Sequence, residues 1–121
     1  MKGEPIALSL TMKALENFVS ENRIKVITVE LIQQATAQYF NIKTEDMKSS
    51  KRTAHITFPR QVAMYLCREL TDITFEKIGE SFGKRHYTTV MHAHDEIARK
   101  LTIDKNTVKY IKDLSASIKK M

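Results

Sequence analysis

Glycine and proline occupy only five positions in this chain: Gly3, Pro5, Pro59, Gly79 and Gly83. These two residues are the strongest local interrupters of regular backbone. A chain of 121 residues with so few of them spends most of its length in continuous elements, and the apolar spacing says that they are helices. In residues 7–22, Leu8, Met12, Leu15, Phe18 and Val19 recur at helical spacing, with Lys13, Glu16 and Glu21 between them. Pro5 precedes that segment, where a proline is tolerated. Thr28 is placed to cap a second helix over roughly 29–40, with Ile32, Ala35, Ala37 and Tyr39/Phe40 as its apolar contacts. TEDMK at 44–48 is at most a short turn.

SSKRTAHITF, from Ser49, is polar and lacks periodicity, so it reads as a loop. Pro59 then opens the next helix at its first position, with Val62, Leu66 and Leu70 as the core stripe beside Ala63 and Cys67. Thr74 caps a short helix that buries Phe75, Ile78 and Phe82, and Gly83 stands where a left-handed C-terminal cap belongs. The next helix begins near His86–Thr88 and buries Val90, Ala93/His94, Ile97 and Leu101. A last one starts at Asp104 or Asn106 with Val108, Ile111, Leu114 and Ile118 inward. The expected fold is all-α: about five helices, preceded by the amphipathic segment, with domain boundaries at 1–27 and 28–121.

Charge is unevenly distributed. Residues 1–47 hold five Lys/Arg against six Asp/Glu, net −1, and residues 48–121 hold fifteen against eight, net +7. Such a field suits a polyanion, nucleic acid before acidic membrane, although a solvated cationic surface has the same composition. Cys67 is the only cysteine, so there is no disulfide framework, and a reducing cytoplasm is the simple reading. No apolar run approaches the roughly 20 residues that span a bilayer, and the N-terminus has no secretion signal.

Two helices joined by a glycine turn, the second entered through cations, form a helix-turn-helix signature. On the second helix Thr88, His92, Asp95 and Arg99 lie opposite the core stripe, on the face able to enter a major groove. In Lys84-Arg85-His86-Tyr87-Thr88-Thr89 the hydroxyls can bond to phosphates or base edges, or simply cap a helix. Lys48, Lys51, Arg52 and His55 form a cationic stretch able to follow phosphates or enter a narrow minor groove, or an ordinary solvated loop. Arg60-Gln61 in a first helical turn make a phosphate clamp, or a surface pair. His92 and His94 diverge by about 200° around a helix, which argues against a metal site. No glycine-rich phosphate loop, nucleophile elbow or HExxH is present, so nothing in the chain supports catalysis.

PRQVAMYLCRELT followed by FEKIGESFGKRHYTTVMHA resembles the C-terminal DNA-binding domain of the bacterial chromosomal replication initiator family, DnaA. Both blocks occur in order at the right spacing, with a basic loop ahead of them. Upstream, GEPIALSLTMKALENFV is similar to the end of the family's ATPase module and its connecting helix. The resemblance thus covers nearly the whole chain and implies the C-terminal third of a longer protein, whose ATP-binding motifs lie outside this sequence. It implies no cofactor for this chain, with ATP belonging to the upstream module. It also implies Arg52 in the minor groove, Arg60 and Gln61 on phosphates, and Thr88 and Thr89 at the major groove. With it we expect base reading by Arg52, His86, Tyr87 and Thr88. Backbone contacts are expected from Lys51, Arg60, Gln61, Phe75, Lys77, Lys84, Arg85 and Thr89.

Four positions depart from the family pattern. His86-Tyr87 stand where the family has Asp-His, and Lys84 replaces a common glycine. Glu76 stands where a proline is frequent. An anionic acceptor for cytosine amines is therefore missing, and altered base preference is expected. The resulting expectation is a cytoplasmic, nucleoid-associated domain that binds duplex DNA as a monomer at short A·T-rich origin repeats. About six phosphate contacts would give a log–log salt slope near −5. Two other readings share these residues: a transcription or mobile-element regulator, and an interaction module using residues 7–22 against acidic phospholipids or the ATPase module.

Overall fold

In the computed structural model the described residues are 26–120, so the segment 7–22 and its connecting role lie outside them. Five α-helices and one short 3₁₀ turn follow in order: α1 (Val29–Tyr39), the turn Thr44–Met47, α2 (Ala54–Leu70), α3 (Phe75–Ser81), α4 (Tyr87–Lys100) and α5 (Lys105–Lys120). No strand occurs among the described residues. None of the described helices is long and apolar enough to cross a membrane.

The caps follow from the residue types. Thr28 is extended and its Oγ1 accepts from the Leu31 amide at 3.1 Å, starting α1. Thr74 does the same for α3, accepting from the Lys77 amide at 3.3 Å. The core is one cluster in which Ile32, Val62, Leu66, Ile78, Val90 and Ile97 are fully buried. Removing each such side chain from water is worth roughly 1.5–3 kcal/mol, which is what holds five short helices together. Cys67 belongs to this core, and its burial, with the Glu30 charge adding to it, raises its thiol well above the ordinary range. Gln33, also buried, donates from Nε2 to the Ser81 carbonyl at 3.0 Å and fixes α1 against the end of α3.

Two expectations change. Pro59 does not open α2: the helix begins five residues earlier, at Ala54, with the Ile56 and Thr57 amides both bonded to the Thr53 carbonyl. Proline lacks the N–H that would pair with the carbonyl four residues back. That residue is His55, which is exposed, so water can satisfy the carbonyl instead. On α5, Thr107 is buried and Val108 is 41% exposed. Thr107 lies two turns before Leu114, in line with Leu114 and Ile118, and Val108 falls beside that stripe. The Thr107 hydroxyl is satisfied by Asp104 Oδ2 at 2.8 Å.

The α3–α4 turn is tight. Gly83 has φ +80°, the left-handed region expected of a glycine cap. Gly79 packs under the turn so closely that a Cβ there would lie 2.3 Å from the Arg85 carbonyl oxygen. The Arg85 amide in turn donates to the Gly79 carbonyl at 2.9 Å.

Candidate nucleic-acid interface

The amino end of α4 is presented by packing behind it. Val90, Ala93 and Ile97 are buried, which turns Thr88, Met91, His92 and Asp95 outward. Thr88 and Thr89 are both exposed on this face. Arg99 is outward as well, and its guanidinium is paired with Glu96 at 2.6 Å.

His86 is the N-cap of α4. Its Nδ1 accepts from the Thr88 amide at 3.3 Å and lies 2.9 Å from Thr88 Oγ1. These bonds fit the neutral ring with its proton on Nε2, because a protonated ring has no acceptor. Tyr87 lies against it, with ring centroids 4.5 Å apart, and is 41% exposed. Glu76, Glu80, Lys84 and Arg85 line an open recess beside this pair.

The basic loop, residues 48–53, passes directly against the turn. A Cβ on Gly83 would sit 2.4 Å from the Lys48 carbonyl oxygen. Arg85 donates from one guanidinium nitrogen to the Phe82 carbonyl and from the other to the Ser49 carbonyl at 2.7 Å. From α2, Arg60 donates to the Asp46 carbonyl at 2.9 Å and to Ser49 Oγ at 3.3 Å. Asp46 also holds Lys51 Nζ at 3.3 Å. Arg52 and His55 are exposed.

The sequence-based site residues therefore divide into two groups. Arg52, His86, Tyr87, Thr88, Thr89 and Lys84 are exposed on or beside this surface, whereas Lys77, also exposed, lines a separate recess with residues 26–30 and 70–74. Arg60 and Arg85 are turned inward, Arg60 to 5% exposure, with backbone carbonyls as partners. The expected placement of Arg60 and Gln61 in a first helical turn is corrected. The two residues sit in the second turn of α2, where backbone amides are already used within the helix. Phe75 is half-buried, with the Arg68 guanidinium 5.1 Å above its ring and His94 edge-on to it. Sequence reasoning missed Asp46 and Ser49, whose main-chain carbonyls hold Arg60 and Arg85 and whose side chains hold Lys51 and Arg60.

Arg60, Gln61, Arg85, Thr89, His92 and Lys100 line a cleft of about 530 Å³ between α2 and α4. The guanidinium of Arg60 is held below its ordinary range by burial first and then by the charge of Arg85. Arg85 is lowered likewise, by burial and then by Arg52. Arg85 thus repels Arg60 on one side and Arg52 on the other, while Asp46 offsets part of the effect on Arg60. Arg60 Nε is buried with no partner. Elsewhere, His94 Nε2 lies 2.8 Å from Glu69 Oε2 and its ring stacks on Tyr65 at 4.9 Å. No group of three or more His, Cys, Asp or Glu among the described residues is placed to hold a metal.

A family model described as the bacterial dnaA protein helix-turn-helix matches residues 29–97. A chromosomal replication initiator protein DnaA from Caldanaerobacter subterraneus subsp. tengcongensis is 50% identical over 114 residues. Those residues are 94% of this chain and 25% of that protein's length.

Proposed function

The chain belongs to the bacterial dnaA protein helix-turn-helix family, and on that premise we propose that it is the duplex-DNA-reading part of a replication initiator, specific for short A·T-rich origin repeats. In this reading the amino end of α4 enters the major groove and Arg52 the adjacent minor groove. ATP binding stays with the part of the initiator that this chain does not span. The observation that carries the reading is the bond between Ser49 and Arg85. It ties the loop bearing Arg52 to the turn that opens α4, so both approach one stretch of double helix together.

The contacts sort by chemistry. Thr88 can meet a base edge or a thymine methyl, and Thr89 a phosphate. Lys77 and Lys84 have exposed cationic ends for the DNA backbone. Arg52 suits a narrow A·T-rich minor groove, where the potential is most negative. His86 spends Nδ1 on the Thr88 amide, leaving its Nε2–H as a donor toward the groove. A donor favours guanine N7/O6 or thymine O4 over the cytosine amine that a carboxylate would select.

The test compares Arg52→Ala and Thr88→Ala on a specific repeat and on random duplex at one salt concentration. Each lost base contact should weaken the repeat by about tenfold or more, with random duplex far less affected. Equal losses on both duplexes would reduce these residues to backbone contacts and overturn the assignment. For base preference, a randomised-duplex selection with His86→Asp plus Tyr87→His should shift the chosen sequence. An unchanged selection removes the role given to His86 and Tyr87.

A further inference from the structure

We propose that Arg85 is a positioning residue, which sets where the basic loop carries Arg52 instead of gripping a phosphate itself. This rests on the minor-groove reading of Arg52 and adds the element that aims it.

The loop has no apolar anchor of its own, since residues 48 and 50–53 are exposed and Ser49 is only half-buried. Its place is set by hydrogen bonds that converge on Ser49. The Ser49 carbonyl accepts from Arg85, and Ser49 Oγ accepts from Arg60 and from the Lys51 amide at 3.3 Å. Gly83 leaves room for the Lys48 carbonyl to lie on the turn. Arg52 follows Ser49 by three residues, so a shift of this clamp moves the arginine with it.

Arg85 and Arg52 also repel, which by itself would drive the loop away from α4. The bridge from Phe82 through the guanidinium to Ser49 opposes that repulsion. A planar guanidinium presents N–H groups in fixed directions to two carbonyls at once, whereas an ammonium is a compact point charge with no such fork. Lysine at 85 therefore keeps the charge and loses the geometry.

The experiment uses four proteins: wild type, Arg52→Ala, Arg85→Lys and the double variant. Binding to a specific repeat and to random duplex is measured across salt, with thermal unfolding alongside. Arg85→Lys should lose about the same tenfold of discrimination as Arg52→Ala, while its random-duplex affinity and salt slope stay at wild-type values. Adding Arg52→Ala to Arg85→Lys should then cost little more, because the two act as one unit. Trypsin cleavage after Arg52 in the free protein should rise in Arg85→Lys. Should that variant unfold, Arg85→Gln, whose shorter side chain keeps an N–H donor but cannot bridge the Phe82 and Ser49 carbonyls, should give the same selective loss.

Undiminished discrimination in Arg85→Lys, or losses that multiply in the double variant, would overturn the positioning role. A shallower salt slope in Arg85→Lys with discrimination kept would make Arg85 a phosphate contact. No effect of Arg52→Ala alone would instead sink the minor-groove reading, and is recognised separately from the other outcomes.

Discussion

The amino end of α4 stands on a packed core, whereas the loop of residues 48–53 stands on hydrogen bonds supplied by other elements. Behind Thr88 and Thr89 lie Val90, Ala93 and Ile97, all buried, and beneath the turn lies Gly79. Behind Arg52 there is no side-chain packing of comparable kind, only Arg60 and Arg85 reaching for the carbonyls of Asp46 and Ser49. Hydrophobic burial fixes a helix within the whole fold. A few charge-assisted hydrogen bonds fix a loop only while both partners are present. The two halves of the surface should therefore fail differently, the helix half together with global stability and the loop half nearly alone.

The largest effect is expected from Gly79→Ala. A methyl group 2.3 Å from the Arg85 carbonyl oxygen cannot be accommodated unless the α3–α4 turn opens. Overpacking of this kind costs about 3 kcal/mol, which for a domain of this size lowers Tm by about 15 °C. Because Arg85 rides on that turn, the loop should be released as well, visible as faster amide exchange in both α4 and residues 48–53. If only the loop responded, the helix half would not depend on the turn as described.

Arg60→Ala should break the comparison from the other side. It removes the bonds to Asp46 and Ser49, and hydrogen bonds to a charged group are worth about 1.5–3 kcal/mol each. Relief of burial and of repulsion by Arg85 offsets part of this. We expect a loss of about 1–2 kcal/mol in urea unfolding. Exchange should quicken in residues 48–53 while α4 keeps its protection. Equal loosening of α4 would show that the loop supports the helix and not the reverse.

This division also explains what could be read from sequence. The caps Thr28 and Thr74, the Gly83 turn and the buried stripe of α4 obey local rules of residue type and spacing, and all appear where those rules put them. The start of α2 was hidden because residues 54–57 are too few to show a period and Pro59 imitates a first helical position. Ile56 is buried and was the one signal of the earlier start. The inward turn of Arg60 and Arg85 could not be read, because their partners are main-chain carbonyls whose positions exist only after folding. A basic residue beside a helix-turn-helix looks the same in sequence whether it will touch a phosphate or its own backbone.

A smaller effect is expected at the helix half from His86→Asp. The neutral imidazole caps α4 through a single 3.3 Å bond. Aspartate ranks among the best N-caps, and its charge meets the positive end of the helix dipole. Stability should rise by about 0.5–1 kcal/mol, read as a higher urea midpoint at neutral pH. No rise would mean that the His86 ring already satisfies the helix end as well as a carboxylate does.

The smallest change in stability should come from Lys84→Gly, and it sharpens the contrast because folding and binding move in opposite directions. Lys84 has φ +58°, a left-handed conformation that costs an L-residue about 1–2 kcal/mol. Glycine removes that strain but is freer in the unfolded chain by about 0.5–1 kcal/mol. A net gain of about 0.5 kcal/mol is left. If Lys84 meets a phosphate, the same variant should bind both specific and random duplex more weakly, with a salt slope shallower by about 1. A more stable protein with weaker, less salt-dependent binding would show that the strained lysine is kept for its charge. Stability gained with the salt slope unchanged would remove Lys84 from the DNA contacts and leave the strain without a function.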